Sequence, residues 1–263
     1  MRTLIYCELS RLWRQRWFWL VILVLPMFAY ITGSHYLWIN SLGENITSGM
    51  FLIVGLQENL FLSSNIVVAA LAAALFTEEY RSGRLRLLFI RRYTRGQIFV
   101  SKLLALHITV LLLLLVLGIC LAIVGFVRFP EEASGRWPVV IGYTAGYYTL
   151  AYATLAAIGS LFVCIAMYSK QVTFALGACM IYILATLLLD GLYLKFAALF
   201  SGLPYVRDVL AFMLVPYMQH TGLNKALSGE TSMIGALPTI ILLHIAVFTV
   251  IAYRRFVAND YVH

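Results

Sequence analysis

Long apolar runs separated by short polar breaks set the rhythm of this chain. A helix rises ~1.5 Å per residue, so roughly 20 apolar residues cross ~30 Å of hydrocarbon. Six stretches reach that length, at about 17–39, 56–77, 100–127, 139–168, 172–190 and 233–253. The fourth is long enough to require tilt or a local irregularity. Pro26 falls inside the first and predicts a kink, because it removes a backbone donor and crowds the preceding turn. Between the fifth and sixth, the outer connection 191–232 is broken by Gly202, Pro204, Pro216, Gly222 and Gly229. It predicts short helices lying at, or dipping into, the membrane surface. Ahead of the first run, Ile5, Leu9, Leu12 and Trp13 share a helical face while Arg11, Arg14 and Gln15 point elsewhere. Residues 1–16 therefore predict an amphipathic helix in the membrane interface. The fold class expected is all-α, a polytopic membrane protein with a single transmembrane domain over 1–263 and six transmembrane helices.

Composition agrees with the pattern. Hydrophobic residues fill 62% of the 263 positions and charged ones 11%, against roughly 45–50% and ~25% in soluble domains. A chain this short cannot hide that much apolar surface in one water-soluble core. Soluble enzymes, disordered chains and nucleic-acid binders built on a basic surface are excluded. The formal charge of +8 then speaks first of topology. Of the 19 Lys and Arg residues, 14 fall on the side of the termini and 5 on the other, which predicts both termini in the cytoplasm of a cell inner or plasma membrane. The acids Glu44, Glu58, Glu131, Glu132, Asp190, Asp208 and Glu230 fall on the outer side. The four cysteines form neither a CxxC nor a loop pair, so no disulfide framework or structural zinc site is expected.

Only one cytoplasmic connection is substantial, from Thr77 to Lys102. Glu78 and Glu79 close the second span, Gly83 breaks it, and a short amphipathic run follows. Leu85, Leu88 and Phe89 lie on one side of that run, with Arg84, Arg91 and Arg95 on another. Thr94 is placed to cap the next helix. The expected result over 78–99 is a short rigid helix held crosswise below two spans, so that a partner pushing it moves both.

These residues resemble the signature of permease subunits of type-2 ABC exporters. That signature runs from an acid through Gly-Thr-Leu-x-Leu-Leu and Pro-x-Ser/Thr-Arg to a Lys about seven residues on. The match falls at Glu79, Gly83, Leu85, Leu87, Leu88, Thr94, Arg95 and Lys102; it departs at Arg84 and Arg92, making the segment unusually basic. The resemblance implies that the helix after Gly83 is a coupling helix seated on a separate ATPase subunit. Glu79, Gly83, Arg84, Leu85, Leu88, Phe89, Arg91, Arg95 and Lys102 are then the coupling residues. It further implies two ATPase copies carrying ATP and Mg, and a second permease, identical or related. The cargo would be amphipathic or hydrophobic: a peptide antibiotic, a toxin-like peptide, a drug or a lipid-linked molecule. No GxxxxGK[ST] occurs in the chain, so an ATP site of its own is not expected, nor is any catalytic, metal or cofactor residue.

Within the spans, Glu58, Asn65, His107 and His244 are the candidate intramembrane polar sites, since polar groups in hydrocarbon are costly. Inter-helix hydrogen bonding is the expected role of the two histidines and an outer-rim position that of Glu58. Gly142 and Gly146 form a GxxxG, expected to pack within the subunit, as are Ala69, Ala70, Ala73 and Ala74. Two other functional classes fit these residues less well. An intramembrane protease with EExxxR would need Arg at the position of Gly83, and Arg84 comes one residue late, a ~100° rotation on a helix. An ion-coupled secondary transporter would need central carboxylates or internal repeats, and neither is evident.

Overall fold

In a bilayer every backbone polar group must be satisfied within the segment, so each apolar run becomes a helix. The computed structural model describes residues 2–82, 93–131, 136–169, 171–199 and 231–258, with positions 202, 219, 223 and 227. The helices are α1 (Arg2–Trp13), α2 (Arg16–Ser41), α3 (Ser48–Asn59), α4 (Asn65–Ser82), α5 (Arg95–Arg128), α6 (Trp137–Tyr168), α7 (Val172–Ala198) and α8 (Thr231–Ala258). A π turn at Leu60–Ser64 joins α3 to α4 as one rod. Counting that rod once, the described residues hold seven helices. Five helical stretches are long and apolar enough to cross a membrane: Arg16–Ser41, Ser48–Thr77, Arg95–Arg128, Trp137–Tyr168 and Leu237–Ala258. The apolar part of α7 is shorter, Val172–Leu188.

A helix occupies each of the six apolar stretches, but the second begins at Ser48, well before position 56. Thr47 makes the difference. Its hydroxyl accepts from the Met50 amide and caps α3. α5 is opened by a capping box, in which Thr94 Oγ1 accepts from the Gln97 amide and Gln97 Oε1 from the Thr94 amide. The cap fulfils what the position of Thr94 predicts.

The π turn loosens the regular ladder, and polar side chains take up its carbonyls. Ser63 Oγ donates to the Asn59 carbonyl at 2.6 Å and Asn65 Nδ2 to that of Phe61 at 2.9 Å.

The rod and α6 hold the centre of the bundle. α4 packs on α6 and α7, and its Ala69, Ala72 and Ala73 are fully buried there. α6 also packs along α8. α2 and α5 lie together on the periphery, where Leu23, Met27, Leu115 and Ile119 face outward. Among the described residues the GxxxG marks no close crossing: none lies within 4 Å of a Cβ built at Gly142, and Gly146 meets Leu227 at ordinary contact distance. The tight approach falls at Gly33 instead, where a Cβ would stand 2.5 Å from Val124 Cγ1 of α5. Spacing alone shows where helices can approach, not where they do.

Candidate functional site

The end of the bundle that carries segment 83–92 is tied together by a buried ionic junction. Lys102, one turn or two into α5, is 1% exposed, and Glu8 of α1 is 7% exposed. Lys102 Nζ donates to Glu8 Oε1 at 2.9 Å and to the Leu75 carbonyl of α4 at 3.1 Å. Arg11 closes the figure, lying 3.4 Å from Glu8 Oε2 and donating to the Ala74 carbonyl at 3.2 Å. A buried charge is tolerable only when paired and hydrogen-bonded. The pairing therefore locks α1 against the rod and α5.

The same end of α5 is held to α8. Arg95 Nη1 donates to the Val257 carbonyl at 2.6 Å, satisfying a group at a helix C-terminus that lacks an intrahelical partner. Phe99 stands 5.6 Å from Phe76 of α4, 5.6 Å from Tyr253 and 5.5 Å from Phe256 between ring centroids. The first two turns of α5 thus grip α1, α4 and α8 at once.

A polar seam runs deeper. Asn65 and Gln219 exchange reciprocal amide bonds at 2.8 and 3.1 Å, both side chains fully buried. Asn65 lies 12 residues from Thr77, ~18 Å along the helix, near mid-bilayer depth. Gln219, in the connection between α7 and α8, is thus packed against α4 at that depth. Asn59 Nδ2 donates to Thr32 Oγ1 at 3.0 Å, and the Tyr36 hydroxyl donates to Glu58 Oε1 at 3.0 Å.

Beside the seam lies a cavity of about 270 Å³ between α2, the π turn, α4 and α5. Val24, Phe28, Ser63, Val67, Leu114 and Leu155 are among its walls, which are almost wholly apolar.

The family model for ABC-2 family transporter proteins matches residues 4–186, from α1 into α7. The chain belongs to the ABC-2 transporter family. No curated protein matches it. As an ABC-2 membrane permease it is a multi-pass membrane subunit without an ATPase site, and permeases of this family generally pair with ATPase subunits.

The coupling residues expected in this ABC-2 permease divide into two groups. Gly83, Arg84, Leu85, Leu88, Phe89 and Arg91, with the side chain of Glu79, lie outside the described residues. Arg95 and Lys102 lie inside them, and both bond to other helices of the same chain. Lys102 is too buried for a partner to touch. Among the membrane positions, Asn65 joins Gln219, whereas Glu58 is exposed 19 residues from Thr77, ~29 Å along the rod. Among the described residues, neither histidine ring bridges two helices by a hydrogen bond. His244 Nδ1 lies 3.1 Å from the Ile240 carbonyl of its own helix. The half-buried His107 meets α6 through its backbone, its carbonyl accepting from the Tyr152 hydroxyl at 3.5 Å.

Sequence reasoning passed over Glu8 and Gln219. Glu8 carried a signal: it is the sole acid before Glu44 and sits midway between Leu4 and Leu12 at helical spacing, on the face that α1 buries. Gln219 offered none, because its partner lies 154 positions away.

Proposed function

We propose that this ABC-2 permease makes six crossings, with α7 added to the five long apolar helices as the fifth in chain order, both termini in the cytoplasm and residues 1–263 acting as one transmembrane domain. Segment 83–92 is its coupling helix. Leu85, Leu88 and Phe89 supply apolar contact to a separate ATPase, and Arg84, Arg86 and Arg91 pair with acids on it. Two ATPases binding ATP and Mg work with two permeases, and their closure swings the bundles between inward- and outward-facing states. The cargo is amphipathic or hydrophobic.

The observation that carries this reading is the grip at the start of α5. A force applied to the segment between α4 and α5 reaches α1 through Lys102–Glu8, α4 through Leu75 and Phe76, and α8 through Arg95 and Phe256. Packed, hydrogen-bonded elements of this kind move together instead of bending. Arg95 and Lys102 act as positioning residues behind the docking surface.

Charge reversal at Arg84, Arg86 and Arg91 is the test, because it spares both internal bonds. ATPase co-purification is expected to fall while membrane insertion stays normal. Retained binding and transport in the triple variant would overturn the coupling assignment.

A further inference from the structure

The cavity between α2, α4 and α5 has a distinct geometry along α2. Leu20, Val24 and Phe28 line it at i, i+4 and i+8, and one further turn back on the same stripe is Arg16, the exposed first residue of α2. From Arg16 to Phe28 is ~18 Å, close to the ~15 Å of hydrocarbon in one leaflet. Headgroup depth is marked independently. Trp13 and Trp19 stand edge-to-face at 5.8 Å, both about half exposed, and the Trp19 indole donates to the Trp13 carbonyl at 2.8 Å. Such aromatics settle at the membrane–water boundary. Arg14 is exposed at the same level.

Water is a poor occupant. A water needs two to four polar partners, and the walls offer little beyond Ser63, whose hydroxyl is spent on the Asn59 carbonyl, and Ser64. Left empty, the walls forfeit dispersion contacts. A hydrocarbon chain restores them, and the bilayer supplies such chains at the cavity mouth.

We propose that this cavity binds one acyl chain of an anionic phospholipid from the leaflet at the level of the termini, with the phosphate held by Arg16 and Arg14. The chain lies along Leu20, Val24 and Phe28, against Val67 and Leu114 on the opposite wall, and ends at the π turn. The site rests on the chain being a membrane protein and not on the coupling or cargo reading.

The full chain, reconstituted without ATPase or cargo in nanodiscs of phosphatidylcholine, is exposed to phosphatidylglycerol carrying a photoactivatable group midway along one acyl chain, and cross-links are mapped. Labelling is expected around Val67 and Leu114, above that of Leu243 and Val247 on the outward face of α8. Val67→Trp fills the cavity and should give a several-fold loss there while sparing α8. Arg16→Gln leaves the cavity intact and should abolish the preference for the phosphatidylglycerol probe over a phosphatidylcholine probe, so it decides the matter even if Val67→Trp does not fold. Uniform labelling of cavity and α8, or labelling unchanged in the variants that fold, would overturn the proposal.

Discussion

Lys102 and Glu8, 94 residues apart, meet at 2.9 Å in a site from which water is almost excluded. Removing one partner of a buried ion pair strands the other, at a cost of ~3–5 kcal/mol, whereas replacing both by apolar residues of similar volume is often neutral. Lys102→Met and Glu8→Gln should therefore each lower the thermal unfolding midpoint in detergent. The double variant Glu8→Leu with Lys102→Met should recover most of the loss. A double variant as unstable as the two losses combined would show that the residues do not act as a pair.

The Asn65–Gln219 pair behaves alike on a smaller scale. Inter-helix hydrogen bonds in membranes contribute ~0.6 kcal/mol on average, with values to ~1.7 kcal/mol. Asn65→Leu should destabilise modestly, and Gln219→Leu added to it should cost little more. Limited proteolysis of the 191–232 connection provides the readout, since losing the tie at position 219 should speed cleavage there.

Close approach of α2 and α5 depends on Gly33, which leaves no room for a Cβ beside Val124. Overpacking a filled interface costs ~1–3 kcal/mol. Gly33→Val should lower the unfolding midpoint, and Val124→Ala combined with Gly33→Ala should restore part of it. Gly142→Val, facing open space among the described residues, should leave the midpoint unchanged.

Cys7 is exposed on α1, while Cys120 and Cys164 are half-buried and Cys179 buried within spans. A membrane-impermeant maleimide should therefore modify the protein in inside-out vesicles, at Cys7, and leave it unmodified in intact cells. Cys7→Ser should remove the signal. Labelling in intact cells that Cys7→Ser removes would reverse the proposed orientation of the N-terminus.

Much of this could be read along the chain because the bilayer imposes local rules. The helices at the six apolar stretches, the Thr94 cap and the family signature around Gly83 each depend on neighbouring residues or on length. The ~29 Å between Glu58 and Thr77 follows from counting residues. Other assignments needed partners. Lys102 looked like part of a docking surface because the signature places it beside the coupling run, and only the packing of α1 turns it inward. Likewise the GxxxG at Gly142 has the spacing for a crossing, yet no helix lies across it among the described residues, while the unremarked Gly33 has one.

The order of apolar and polar residues by itself determined that the chain is a helical membrane protein, since a backbone in hydrocarbon has few ways to satisfy its own hydrogen bonds. What only the tertiary structure decided is which polar groups face one another: Glu8 with Lys102, Asn65 with Gln219, Arg95 with the end of α8. Those contacts join positions 94, 154 and 162 residues apart. Their existence depends on how whole helices rotate and stack, which helical periodicity within any one of them does not specify.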